Sequence, residues 1–260
     1  MSGSFDQRGH LEIGDGKLIV CVGKKRSGKS VMGHLLAQSF PGDLIVLDIA
    51  GDDGPSGRDV VELHGTVDTL PRRWPEHLRP DKGGPMVVRY RPDAGSPTFL
   101  NDMDAIVGLA LSHGRASGRC CLLVHEMGVL AKANSTPPHT RRMLMHNRHH
   151  RLTGIFCMPR PKVIDPLVLS QADLTYIFDV PNPDDRARIA HEIGWDPRDF
   201  DDAWRELRRH EYLRNDANEP RPEDDESPDY RLVHFPALPE DVVRGVLRRA
   251  HGEVEAESTR

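Results

Sequence analysis

Eight consecutive residues, Gly23-Lys24-Lys25-Arg26-Ser27-Gly28-Lys29-Ser30, set two glycines, a lysine and a hydroxyl at the spacing of a phosphate-binding loop. Glycine at 23 and 28 lets the backbone curl until successive N–H groups converge on one anion. Lys29 then reaches the β and γ phosphates of ATP as a compact positive charge, and Ser30 offers its hydroxyl to Mg²⁺. The residues expected to wrap the nucleotide run from Gly23 through Lys24, Lys25, Arg26, Ser27, Gly28, Lys29 and Ser30 to Val31. Such a loop needs an acid to orient or activate the attacking water, carried at the end of a neighbouring apolar strand. Cys120-Cys121-Leu122-Leu123-Val124-His125-Glu126 fits, which makes Glu126 the candidate catalytic carboxylate that orients or activates the water. Where an aspartate would hold Mg²⁺ through its outer shell stands His125, and neutral imidazole supplies no negative charge. Either Asp48, which closes the run Leu44-Ile45-Val46-Leu47 and would bear on Mg²⁺ or on the water at the γ-phosphate, or water itself compensates, or turnover is slow.

Something must hold these groups at one edge. Six apolar runs of strand length recur between Gly, Pro and Asp, at 17–22, 44–49, 86–90, 120–124, 153–158 and 174–180. Most are continuous rather than alternating, as central strands of a parallel sheet covered on both faces must be. Helical patterns at 29–38, 99–112 and 140–151 separate several of them. The pattern predicts an α/β fold with a doubly wound, mostly parallel sheet and helices on both faces, and with the phosphate loop set in it the layout resembles a P-loop NTPase of RecA-like (ASCE) type. The phosphate loop then sits where β turns to α, at a helix N-terminus that favours anions. Asn182-Pro183-Asp184-Asp185 opens a further helix that Gly194 closes, and a second is expected over 197–213. The division expected is an N-terminal extension (1–16), an ATPase domain (17–214), an acidic Pro-rich exposed loop (215–229), a strand and helix on the same domain (230–251) and a tail (252–260).

The composition narrows the function classes. A chain of 260 residues can bury a large core, and a net charge of −5 excludes a uniformly basic nucleic-acid coat. Arginine nevertheless clusters at Arg141, Arg142, Arg148 and Arg151. Cys21, Cys120, Cys121 and Cys157 all fall in apolar runs without C-x-x-C spacing and read as reduced core thiols. His146, His149 and His150 lack ligand spacing for a metal. No apolar run reaches the length of a membrane span and the first residues carry no apolar signal core, so the expected location is cytoplasmic or virion-associated.

The order of these features resembles the FtsK/HerA superfamily of DNA-pumping ATPases, which includes the packaging ATPases of membrane-containing and tailless viruses. The likeness covers roughly 17–214 and is most specific at the phosphate loop. It continues through Asp48, the strand ending at Glu126, and the helix ending in Arg148-His149-His150. Where the family carries a polar sensor followed by Arg-Pro, this chain has Met158-Pro159-Arg160-Pro161, and Pro159 has no side-chain donor for a phosphate, which moves that role to Arg160. The resemblance implies a homo-oligomeric ring, commonly a hexamer, with ATP between subunits, double-stranded DNA in the channel and a capsid or portal-type docking partner. It also implies an arginine completing the neighbour's site; Arg148 is the first choice and Arg151 the second. DNA contacts would be to phosphates, with Arg115 and Arg119 around the 112–118 turn and Lys132 after Glu126 as the expected residues.

The leading reading is thus an ATP-driven translocase of double-stranded DNA, of the genome-packaging kind. Two others use the same loop. A small-molecule kinase would need a lid of paired arginines, for which Arg72-Arg73 could serve, and a nucleotide-gated assembly protein with little turnover would tolerate His125 and Pro159.

Overall fold

The strand β1 (Leu18–Val22) is buried at all five positions, so both of its faces must be covered. In the computed structural model, which describes residues 13–49, 60–67, 84–219 and 231–250, helices cover both. Leu18, Val20 and Val22 enter one hydrophobic core and Ile19 and Cys21 the other, the two-residue alternation of a strand between two layers. Around it lie β2 (Asp43–Leu47), β3 (Val60–Gly65), β4 (Val87–Pro92), β5 (Cys120–Val124), β6 (Leu152–Met158), β7 (Leu174–Ile177), β8 (Tyr212–Asp216) and β9 (Leu232–Phe235). Their order is β3-β4-β2-β5-β6-β1-β7-β8-β9; β3 through β7 in that order are parallel and the last two pairings antiparallel.

One face is packed by α2 (Phe99–Ser117), α3 (Met127–Leu130), α4 (Pro138–His146), α5 (Leu167–Ser170), α6 (Pro183–Ile193) and α7 (Pro197–Arg205). The other face carries α1 (Lys29–Ser39) and α8 (Glu240–Ala250), through Met32, Leu35, Leu36 and Val246. α1 sits so close to β6 that a Cβ on Gly33 would stand 2.7 Å from Cys157 Sγ. All four cysteines are buried free thiols, and burial raises the pKa of Cys21 and Cys120 well above the usual thiol value.

Several boundaries differ from the sequence expectation. α2 does not stop at 112 but runs to Ser117, where Gly118 caps it with φ 87°, so the 112–118 turn is a helix end and Arg115 lies in its last turn. The helix expected over 140–151 ends at His146 and gives way to a 3-10 turn, Asn147–His150. The helix expected over 197–213 ends at Arg205. His210 then takes φ 68°, which no helix accepts, and Tyr212–Asp216 pairs with β7 instead. The strand β3 was not foreseen, and none of its six positions is fully buried. Of the acidic segment, Asn215 and Asp216 belong to β8, while 220–229, Arg72-Arg73, residues 1–12 and the tail lie outside the described residues. No helix among the described residues is long and apolar enough to cross a membrane.

Candidate nucleotide-binding site

The loop from Gly23 to Gly28 joins β1 to α1 and is tied down from three sides. Gly23 N–H donates to Met158 O (3.2 Å) and Lys24 N–H to Asp179 O (2.8 Å), fixing the loop to the ends of β6 and β7. Ser27 O meets His210 Nδ1 at 3.3 Å. The glycines are sterically required. A Cβ at 23 would lie 2.6 Å from Ser27 Oγ and 2.8 Å from Phe178 Cβ, while Gly28 has φ 109° with the Phe178 ring 3.3 Å from where a Cβ would go. Gly28 precedes α1 and no side chain caps that helix, so its first N–H groups are directed at whatever the loop encloses. Lys29, 8% exposed, stands at this helix start with Ser30 beside it. Ser27 Oγ is buried with no hydrogen-bond partner, a hydroxyl that a phosphate oxygen would satisfy. These residues fit a nucleotide phosphate tail.

A cavity of about 480 Å³ continues from the loop along Gly28, Lys29, Ser30 and Val31. Its walls are Phe178 beyond β7, His210, and Leu238, Val243 and Leu247 at and within α8. An apolar, aromatic-edged pocket contiguous with a phosphate loop suits a nucleobase. None of these walls was foreseen. The signal was present as the apolar pair spacing Val242-Val243 and Val246-Leu247 along α8, which reads as a helix face packed on the sheet.

Glu126 follows β5 directly and begins α3, half-buried. In the sheet, β6 separates β5 from β1, and the register pairs Val124 with Phe156 and Met158 with Val22. Two residues beyond Val124, Glu126 is therefore level with the start of the loop, at about 10 Å sideways for two strand spacings. His125, instead of facing a metal, packs on His34 of α1 with ring centroids 4.7 Å apart, both residues buried. The contact joins the phosphate-loop helix to the residue before Glu126. Ser30 follows Lys29 in the first turn of α1, and Glu126 stands on the other side of β6 from it.

Asp48 is not brought to this site. It ends β2, three strand spacings from β1, or about 14 Å. Its Oδ2 already accepts from Arg89 Nε (2.9 Å) and Arg91 Nε (3.0 Å), and Arg89 also meets Glu62 at 3.1 Å. Two guanidiniums neutralise the charge that a magnesium ion would need, so the expected compensation for His125 does not come from Asp48. Arg160, at the end of β6, lies 3.7 Å from Asp185 on α6 and is exposed.

Arg148 is placed at the opposite edge of the sheet. Its Nη2 donates to Asp173 Oδ1 (2.5 Å), the carboxylate that also takes Lys17 Nζ (3.3 Å) and the Leu18 N–H (2.8 Å) at the start of β1. The five residues of β1 separate it from its own loop by roughly 15 Å. Arg151 shares that edge and lines a cavity of about 280 Å³ with Asp15, Gly16, Lys17 and Arg148. Of the expected DNA contacts, Arg119 lies at the same edge, paired with Asp15 (3.1 Å), and Arg115 at the end of α2. Lys132 is distant in topology, bridging to Ser135 and Ile164 after α3, so the three do not form one surface. The described residues contain no cluster of His, Cys, Asp and Glu able to hold a metal ion.

No protein-family model and no curated protein matches the chain. Solved structures do. The genome packaging NTPase B204 from Sulfolobus turreted icosahedral virus 2, in complex with AMPPCP, superposes with a TM-score of 0.61 at 18% identity, over 86% of this chain and 98% of that one. The same protein with sulfate gives 0.61 at 19%, over 88% and 100%. B204 described as the DNA-packaging ATPase from Sulfolobus turreted icosahedral virus gives 0.59 at 16%, over 87% and 100%. At these identities the likeness is one of fold, and the chain has the P-loop NTPase fold of those packaging proteins from end to end of their length.

Proposed function

We propose that the chain is an ATP-hydrolysing, ring-forming translocase of double-stranded DNA that serves genome packaging. The observation that carries this is the placement of Lys29 and Ser30 on one side of β6 and Glu126 on the other, level at one sheet edge. The loop amides and the Lys29 ammonium neutralise charge on the transferring phosphoryl group. Mg²⁺, when bound with the nucleotide, supplies Lewis-acid stabilisation of the phosphate oxygens. Glu126 orients the water and accepts its proton as the oxygen attacks phosphorus and the bond to ADP breaks. The apolar cavity under α8 holds the base. The fold shared with B204 supports the packaging assignment.

Arg148 enters this reading only in trans, because it stands at the far edge from its own loop. A ring that seats this edge on the neighbour's nucleotide would use it as the completing arginine. A second reading, a nucleotide-gated assembly protein with little turnover, is favoured by His125, which packs against His34 and adds no acid to the site. One variant pair separates the two. Glu126→Gln is expected to bind ATP normally and lose hydrolysis by about 10²- to 10⁴-fold. Lys29→Ala is expected to lose nucleotide binding in calorimetry. Hydrolysis unchanged in Glu126→Gln would remove the catalytic assignment, and ATPase activity indifferent to duplex DNA would remove the translocase.

A further inference from the structure

The phosphate loop has a second side. Lys24, Lys25 and Arg26 are exposed, and a cavity of about 570 Å³ opens between them and the junction from α7 to β8, where Arg205, Arg208 and Arg209 form the facing wall. Among the described residues Asp179 is the one carboxylate lining it, and Lys24 takes that at 2.5 Å. Arg205 is engaged with Asp201 and Asp202. Lys25, Arg26, Arg208 and Arg209 have no carboxylate at salt-bridge distance among the described residues. Glu211 accepts the Arg208 N–H at 2.9 Å and offsets part of that charge, which among the described residues leaves Lys25, Arg26 and Arg209 as the least compensated cations of a cavity on a chain whose net charge is −5.

We propose that this cavity, which shares Arg26, Ser27 and His210 with the nucleotide side of the loop, is an adjoining phosphate site and that it takes the phosphodiester backbone of double-stranded DNA. The inference rests on the reading of the chain as a DNA-acting ATPase and locates its contact. Guanidiniums on one wall and lysine with arginine on the other match a row of phosphates, which they grip by charge and by bidentate hydrogen bonds. Nothing in the cavity reads bases. Its aromatic residue, Trp204, is covered by the Arg186 guanidinium 4.0 Å from the ring centroid, and His210 is held at Ser27 O. A single strand would want a free stacking platform, so the lining favours duplex, gripped without regard to sequence. Backbone amides of Lys25 and Arg26 then serve the nucleotide while their side chains serve the polymer, with Lys24 held at Asp179 through both its N–H and its ammonium.

The test is anisotropy of a labelled random-sequence duplex over a salt series, with the full chain and no nucleotide. Arg208→Ala/Arg209→Ala is expected to weaken binding about 10- to 100-fold at low salt and to lower the slope of log K against log salt by about 2, since each lost phosphate contact removes about 0.9. Arg208→Lys/Arg209→Lys, which keeps the charge, is expected to restore most of the affinity, and the thermal midpoint of each variant checks the fold. No duplex binding by the unaltered chain would sink the DNA reading itself. Duplex binding by the alanine variant with unchanged affinity and slope overturns only this cavity's assignment. So does an alanine variant that keeps its DNA but loses self-association, which would make the cavity a contact for a neighbouring copy.

Discussion

At the scale of single residues, the two carboxylates that end apolar strands have opposite fates. Glu126 stands level with the phosphate loop, whereas Asp48 is shut in with Arg89 and Arg91. Removing Asp48 leaves two guanidiniums, one of them deeply buried, without their shared acceptor. Asp48→Ala is expected to cost about 3–5 kcal/mol in denaturant unfolding. Its ATP affinity should stay put, because the carboxylate is three strands from the loop. His150 supplies a pH dependence. It is buried in the 3-10 turn that carries Arg148, with Nδ1 3.2 Å from Leu111 O, and burial lowers its pKa below the usual 6.5. A lowered folded pKa means that the unfolded chain binds the proton first. Stability is therefore full above about 6.5 and is lost as pH falls through the folded value. His150→Gln should flatten that part of the curve when urea midpoints are followed from neutral pH downward.

At the scale of elements, α1 and α8 together line the candidate nucleotide cleft on one face of the sheet. α1 contributes its bare N-terminus and α8 its apolar side, Val243 and Leu247, over the pocket that Phe178 floors. If α8 holds the base, Leu247→Asp should raise the Kd for ATP about tenfold, in keeping with the loss of one apolar wall. The same variant should bind inorganic tripolyphosphate as before, since that ligand uses only the loop; equal loss of both ligands in calorimetry would place the base elsewhere. The element that sequence patterning misassigned, β8, shows why such reasoning stops short. Phe200, Ala203, Trp204 and Leu207 keep a helical spacing that invites extension into Tyr212 and Leu213. What ends the helix is the turn at His210 and the exposed edge of β7, which gains an antiparallel partner.

At the scale of the whole molecule, the sheet separates two charged edges. The carboxyl ends of the parallel strands carry Lys29, Ser30 and Glu126, and the opposite ends carry Lys17, Arg148 and Arg151 around Asp173. If the second edge completes a neighbour's site, neither Lys29→Ala nor Arg148→Ala protein should hydrolyse ATP alone. Mixing the two should recover activity, because an intact loop can then meet an intact arginine. Light scattering should show particle mass rising with a non-hydrolysable ATP analogue. Failure of the mixture to recover, with both proteins folded, would remove Arg148 from the reaction.

The residues of the phosphate loop, the alternation of strands and helices, and the acid after β5 were legible in the chain itself. Each depends on neighbours in sequence: a curl of consecutive amides, an unbroken apolar run, a strand end. The apolar cavity under α8, the basic cavity and the fate of Asp48 were decided only by tertiary structure. Ser27 and His210 meet across 183 positions, and Arg89 reaches Asp48 across 41. Charge and shape at such meetings follow from strand order and register, which no local pattern encodes, because the same apolar run can pair on either side of its neighbour.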